Sequence, residues 1–330
     1  PNFDETVTEP SGLLPKLPVM MLNGAEGIGT GFSSVIPSFN HEDIVESMVS
    51  YLLSGKTKKL KPYVHNYTEK IIIDNTRFTF PMAFKEDKEG IYISELPRGY
   101  DAAKIYKYLT KFIENDFLKD FIDSSVNNDI KIELIFKRGQ SPSLKEVEDK
   151  MRVVSSITPN YTLISESGVR IFEKPEEIIE VFTEQRRNVV RRRYELLVID
   201  YKERIKQNNE IIRFIKKKEY EVATKSKNRK SFVEYLSKMK FVYSDYLADM
   251  PIYRMTKDEV AKRSLLVIDD TVKLKGFEKI SKSAKLIQKK LIEELYDVGE
   301  QLTSWLKDKD NHAKSLKKSM NKKIKKKDKK

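Results

Sequence analysis

The period of the apolar positions changes twice along the chain. After an extended opening stretch punctuated by Pro10, Pro15, Pro18 and Pro37, "HEDIVESMVSYLLSG" (41–55) sets Ile44, Met48 and Leu52 four apart. That spacing predicts an amphipathic helix with Asn40 as N-cap and Gly55 as C-cap. From 56 to 172 the runs "EKIIID", "RFTFPMAF", "GIYISEL", "DIKIELIF", "YTLIS" and "GVRIF" are alternating or β-branched, with one helical stretch among them, "DAAKIYKYLTKFIEND". They predict an α+β unit with a mainly antiparallel sheet. From Pro175 to about Lys217 the pattern is helical again, through Ile178, Phe182, Val190, Tyr194, Leu197, Tyr201, Ile205, Ile212 and Ile215. With Asn208 in the missing seam position, the steps from Val190 to Ile215 are all three or four residues, as in a coiled coil, and a polar residue there would fix register at some cost in stability. Ala284, Ile287, Leu291, Leu295, Val298, Leu302 and Trp305 repeat the pattern, so the two seams predict an antiparallel helical hairpin. The aromatic, Met-rich stretch between them, "FVEYLSKMKFVYSDYLADMPIYRMT", predicts a small globule capping the hairpin.

Composition narrows the function classes. At 330 residues the chain suits two or three units. It opens on Pro1 without a Met, which reads as a fragment. No stretch approaches the ~18 apolar residues of a membrane span and no secretory leader opens the chain, so a cytoplasmic location is expected. The absence of cysteine excludes disulfides, thiol catalysis and cysteine-type zinc sites, and His41, His65 and His312 are too scattered for a histidine metal cluster. The net charge of +13 is concentrated at one end: ten lysines and one aspartate from Lys314 to Lys330 carry nine of the thirteen charges. This run reads either as a solvated, disordered tail or as a nonspecific phosphate tether.

The sharpest local feature is "NGAEGIGTG" (23–31), which holds four of the twelve glycines. A Walker loop needs Lys and then Ser or Thr after its second glycine, and none follows Gly29 or Gly31. A dinucleotide fingerprint needs a third glycine where Phe32 stands. A plain turn explains one or two glycines but not four around an apolar Ile28. The remaining physical option is close approach of bare backbone to a large ligand, with Ile28 as an exposed wedge. DNA-bending proteins insert such side chains between base steps, at roughly a few kcal/mol per unstacked step.

The segment "EPSGLLPKLPVMMLNGAEGIGTGFSSVIPSFNHEDIV" resembles the part of type IIA DNA topoisomerases that follows the active-site tyrosine. The family pattern there runs Leu-Pro-x-x-(Ile/Phe)-Pro, then Leu-x-Asn-Gly-x-x-Gly-Ile, then Ile-Pro. "PNFDET" is similar to the gyrase branch, "NGAEGIGTGFS" to the eukaryotic branch and "ISELP" to both. "VFTEQRRNVVRRRYELL" resembles the start of the family's coiled coil and "YLADMPIYRMT" its carboxyl-terminal gate, so the resemblance covers most of residues 1–260. It is greatest to the separate DNA-cleavage subunit of gyrase-type or T4-like phage enzymes.

The resemblance implies that Ile28 intercalates into bent gate DNA, with Gly24, Gly27, Gly29 and Gly31 keeping the backbone low and Asn23 among the DNA-binding residues. Lys16 is either a phosphate contact or a solvated surface charge. Tyr246, Leu247, Met250, Pro251, Tyr253 and Met255 form the dimer gate in this reading, although a Met-rich aromatic cluster also suits plain core. The family's nucleophilic tyrosine follows an arginine and would lie about two dozen residues before Pro1, judged from the family's spacing to the isoleucine, so this chain has no catalytic residue and would be inactive alone. Arg193-Tyr194 copies that pair only superficially, because Tyr194 falls on the helical seam. Arg186, Arg187, Arg191, Arg192 and Arg193 read either as helix-surface pairing or as DNA contacts. No metal ligand is expected in the chain; Mg²⁺ and ATP belong, by the resemblance, to a partner ATPase and metal-binding subunit. Double-stranded DNA and a second copy of the chain are the other expected partners.

The expected architecture is α+β. Residues 1–55 are the remnant of a DNA-gate domain with the intercalating loop, 56–173 a tower-like sheet domain and 174–220 the first coiled-coil helix. Residues 221–262 are the gate globule, 263–312 the returning helix and 313–330 a disordered lysine tail. Within the return, "SLLVIDDTVKLKGFEK" departs from the family and predicts an insertion or a broken helix. Two other readings remain: a noncatalytic DNA-bending scaffold, and a pure coiled-coil interaction protein whose DNA binding would vanish with residues 314–330. Lys and Ile richness suits an AT-rich phage or virus, which would place the protein in host cytoplasm.

Overall fold

The first helical signal is realised where the pattern put it. Helix α2 spans His41–Ser54 after the short α1 (Val19–Asn23); the Asn40 side chain accepts from Glu42 N, and Gly55 stops the helix at φ +72°. Its inward face buries Ile44, Met48 and Leu52. The computed structural model describes residues 2–9, 12–65, 67, 69–74, 77–88, 90–125, 130–165 and 168–327, with all their side chains except those of 165, 313, 314 and 316–327. Pro10 and the lysine side chains of the expected tail lie outside the described residues.

The chain divides into two compact units, Pro1–Thr183 with Glu293–Lys330, and Glu184–Ile292. In the first, the hairpin β1 (Ala25–Ile28) and β2 (Ser33–Ile36) precedes α2, and the strands that follow it are antiparallel throughout. They form two sheets and a separate two-stranded hairpin where one sheet was expected. β3 (Ile72–Asp74), β4 (Arg77–Pro81) and β9 (Val154–Ile157) pair in the order β3-β4-β9. β5 (Ala83–Asp87), β6 (Gly90–Glu95), β7 (Asp120–Asp123) and β8 (Ile132–Ile135) pair in the order β5-β6-β8-β7. The run "RFTFPMAF" is therefore two strands of different sheets. Helix α3 (Ala102–Glu114), capped by Asp101, buries Ile105 and Leu109 against the larger sheet, with Ile93, Leu118 and Ile132 in the same core.

A second helix within residues 56–172, α4 (Leu144–Met151), contradicts the expectation of one. It buries only Val147 and Met151, too few for a periodic signal, and its Ser143–Glu146 capping box was not singled out from sequence. Strands β7 and β9 escaped for a similar reason, since each is four residues long and largely half-buried or exposed. A last hairpin, β10 (Tyr161–Ser165) and β11 (Gly168–Phe172), leads to helix α5, Pro175–Lys216.

In the second unit the residues of α5 pair antiparallel with α8 (Lys257–Ser281), so the return begins earlier than 263. The pairs run in opposite directions along the two helices: Tyr194 and Tyr201 rings 5.9 and 5.1 Å from Phe277, Lys202 on Glu278 at 2.8 Å, Arg204 on Asp270 at 3.3 Å, and Arg263 donating to Asn208 at 2.7 Å. Asn208 does occupy the seam. The next buried position is Ile211 rather than Ile212, so the seam steps three and then four to Ile215. The "SLLVIDDTVKLKGFEK" stretch does not break the helix, since it lies wholly within α8. Its residues Val267, Asp270, Leu274 and Phe277 recur at helical spacing on the covered side, and tertiary packing overrides β-branched propensity. The break falls at Lys282–Ser283, where the Ser283 hydroxyl accepts from Leu286 N and α9 (Ala284–Lys327) begins. The backbone of α9 stays helical through Lys327.

The expected globule is formed by α6 (Arg229–Lys238), α7 (Ser244–Ala248) and two 3₁₀ turns, around Phe214, Phe232, Leu236, Phe241 and Leu247.

Candidate nucleic-acid interface

The glycine stretch is a hairpin with an isoleucine at its tip. α1 buries Met21, whose carbonyl accepts from Phe39 N at 2.7 Å, and Gly24 then turns the chain into β1 at φ +73°. β1 and β2 pair from Ala25↔Ile36 at the root to Ile28↔Ser33 at the tip, and Gly29 N donates to Phe32 O at 2.8 Å across the turn. Ile28 is 94% exposed. An aliphatic side chain held this far out by a paired strand has nothing of its own chain to pack on.

The four glycines are bare for different reasons. A Cβ on Gly24 would lie 3.0 Å from Ile36 O and 3.3 Å from Ser38 N, and its φ is positive, so the fold itself requires glycine. Gly31 sits at φ +81° with open space around it, a conformational requirement alone. Gly27 has neither a positive φ nor any atom within 4 Å, and Gly29 meets only Phe32 O at 3.7 Å, ordinary contact. Nothing in the chain demands glycine at these two, which flank Ile28.

The hairpin is anchored by the next hairpin in space. Val35 and Asn160 exchange two backbone hydrogen bonds of 2.9 Å, Asn160 Nδ2 donates to Ser33 Oγ at 3.1 Å, and Ser34 Oγ donates to Thr162 O. Tyr161, at the root of β10, is buried, which raises its hydroxyl pKa. Arg98, brought from the loop after β6, lies 3.5 Å from Glu26. It offsets the one acidic side chain on β1. Sequence reasoning missed both Asn160 and Arg98, because neither carries a local pattern and both reach the hairpin only through the tertiary fold. Asn23 is exposed at the end of α1, and Lys16 is exposed on the approach to it, without an ion pair among the described residues. The hairpin and its root thus bring together Asn23, Gly24, Gly27, Ile28, Gly29 and Gly31, whereas no described contact ties Lys16 to them.

The expected dimer-gate residues, in the other unit, divide into two groups. Leu247 and Met250 are buried in the globule's own core and cannot face a partner. Tyr246, Pro251 and Tyr253 are exposed and Met255 is half-buried; Ile252, not singled out from sequence, is 82% exposed. Arg229 holds this surface by clasping Asp249 with two bonds of 2.7 Å and Asp245 with one of 3.2 Å. The Arg229 hydrogen bonds keep the Asp249 carboxyl below its ordinary pKa of 3.8.

The arginine cluster resolves only partly. Arg186 is 5% exposed and Arg187 pairs with Glu184 at 2.5 Å, while Arg191, Arg192 and Arg193 are exposed. Tyr194 is half-buried against Phe277, as its seam position implied. Among the described residues no three His, Asp or Glu side chains converge on a metal position, and no helix is long and apolar enough to cross a membrane.

A family model described as DNA gyrase/topoisomerase IV, A-type subunit, matches residues 1–296. DNA topoisomerase 2 top-2 of Caenorhabditis elegans is 27% identical over 314 residues, covering 88% of this chain and 20% of that protein. The DNA topoisomerase medium subunit of enterobacteria phage T4 is 24% identical over 270 residues, covering 78% of this chain and 61% of that protein. The crystal structure of the Plasmodium falciparum topoisomerase II DNA-binding, cleavage and re-ligation domain shares the fold, with a TM-score of 0.73 at 20% identity, covering 89% of this chain and 46% of that one. The chain therefore spans only part of the length of the relatives it matches. Because the family match takes in most of the chain, from its first residue into helix α9, the chain belongs to the family of A-type subunits of DNA gyrase and topoisomerase IV.

Proposed function

We propose that this chain is the DNA-gate part of the cleavage subunit of a type IIA topoisomerase, acting on double-stranded DNA in the cytoplasm of a cell or a phage-infected host. The observation that carries the reading is Ile28, 94% exposed between two glycines that the fold does not require. Bare backbone at Gly27 and Gly29 lets the hairpin lie against a duplex while the Ile28 side chain enters a base step. The unstacking energy, roughly a few kcal/mol, is offset by the protein surface that a bent duplex can reach.

In this reading the chain's own residues bend and hold DNA and join two copies through the exposed Tyr246, Pro251, Ile252 and Tyr253. Strand cleavage is a transesterification in which a tyrosine oxygen attacks a backbone phosphate and the bond energy is kept in a phosphotyrosyl link. Tyr194 is read as a seam residue and not as that nucleophile, a reading supported by the packing of its ring near Phe277. Mg²⁺ and ATP are assigned in this reading to a partner subunit. ATP hydrolysis on that partner would drive passage of one duplex through another.

The test is a duplex carrying 2-aminopurine at candidate base steps, titrated with the chain. We expect a fluorescence rise at one step that is lost in Ile28→Ala, with the circular dichroism and melting midpoint of the variant unchanged. Equal fluorescence and equal bending with Ile28→Ala would overturn the assignment.

A further inference from the structure

Hairpins β1–β2 and β10–β11 lie strand to strand, and the geometry of their junction has a consequence beyond anchoring. The Val35↔Asn160 bridge is antiparallel. β2 runs from tip to root and β10 from root to tip, so both hairpin tips project the same way. Side chains two residues apart share a face of a strand, and directly opposed residues share it across a ladder. Ile28 is opposite Ser33, and Ser33 and Val35 share their face with Asn160, whose amide reaches the Ser33 hydroxyl. Asn160 in turn shares a face with Thr162, to which it is bonded at 2.6 Å, and with Ile164. Ile164 opposes Val169 and Thr162 opposes Ile171.

One face of the four strands thus carries Ile28 and, beside it, three exposed β-branched side chains: Ile164 at 87%, Val169 at 50% and Ile171 at 67%. Arg170 points to the opposite face, where it stacks 4.6 Å over Phe172. The charged side chain at a described position of the shared face is Glu26, held by Arg98.

We propose that Ile164, Val169 and Ile171 form a second apolar contact for the same duplex, seated on deoxyribose rings to one side of the step that Ile28 opens. The proposal rests on the reading of Ile28 given above. Strands are ~4.8 Å apart, so Ile164, two strands over, lies on the order of 10 Å from Ile28, and Val169 and Ile171, three strands over, on the order of 14 Å, about three to four base-pair steps along the duplex. Sugar edges present C–H surface, which suits aliphatic side chains without a cation. A second copy of the chain fits less well: a stable protein interface buries upwards of ~1,000 Å², far more than three side chains supply. A ligand already held by the neighbouring hairpin needs no such area.

Hydroxyl-radical footprinting of the DNA-bound chain reads sugar accessibility directly. We expect protected sugars about three to four steps from the 2-aminopurine position. In Ile164→Ser/Ile171→Ser that protection should disappear and affinity should fall roughly fivefold, while the Ile28-dependent fluorescence persists. Both positions are exposed, so an unchanged melting midpoint is expected and is checked first; the single variant Ile164→Thr, which keeps β-branching, replaces the pair if the fold suffers. An unchanged footprint and affinity overturn the proposal, as does loss of self-association by sedimentation with the footprint intact, which would assign the patch to a second copy. Loss of fluorescence in wild type with the distal protection retained would instead overturn the Ile28 reading and leave the patch as an independent DNA contact.

Discussion

Gly24 and Gly27 lie three residues apart and answer to different demands. Gly24 is enclosed by the returning strand and holds a positive φ; Gly27 faces open space. Gly24→Ala is expected to lower stability by about 2 kcal/mol or more through strain and collision with Ile36 O. Gly27→Ala should leave stability within ~1 kcal/mol of wild type, or raise it slightly by restricting the unfolded chain, yet weaken DNA binding several-fold. Urea denaturation beside a DNA titration separates the two, and equal binding by Gly27→Ala would mean that the bare backbone serves no ligand. The sequence pointed to these residues through their resemblance to a known motif. The distinct reason for each glycine was not legible, because it depends on atoms of Ile36 and Ser38 that only the folded chain brings near. Leu247 and Met250 teach the same lesson in reverse: an apolar side chain is spelled the same whether it faces the core or a partner.

Among the elements, the strongest periodicities were read correctly and the shortest were lost. Helices α2, α3 and α5 were visible because each repeats an apolar stripe over several turns. α4, with two inward residues, and the four-residue β7 and β9 fall below what any period can register. The pairing of α5 with α8 was misread because α8's covered face includes the polar Asp270, 1% exposed and held by Arg204. A buried carboxylate is invisible to an apolar count. The clasp of Arg229 on Asp249, between α6 and the end of α7, carries a pH signature. The folded-state pKa of Asp249 lies below its ordinary 3.8, so the clasp contributes fully above about pH 4 and is lost as pH falls through the lowered value. The difference in urea midpoint between wild type and Asp249→Asn should be constant from pH 8 to 5 and close on further acidification toward pH 3. A gap that persists at the lowest pH would assign the effect to packing instead of charge.

For the whole molecule, charge and connectivity matter more than any one contact. Nine of the net thirteen positive charges fall after residue 313, on and beyond the end of helix α9. Removing 314–330 should make the log affinity against log salt plot shallower, by up to ~0.9 for each phosphate the tail had neutralised, with the Ile28-dependent fluorescence intact at saturation. Titrations between 50 and 200 mM salt check this, and an unaltered slope would leave the tail as a solubilising run. Connectivity has its own effect. The first unit is closed by residues that come last: Thr303 meets His41 at 2.9 Å, Asp310 meets His65 at 3.1 Å, and Gly299 brings α9 close to Val45. During synthesis the sheets and α2 leave the ribosome well before these partners exist, and all of Glu184–Ile292 must be translated in between. A premature stop anywhere in that interval therefore removes more than an arm; it strands the amino-terminal half without its final layer and hands an unfinished surface to the cell's chaperones and proteases.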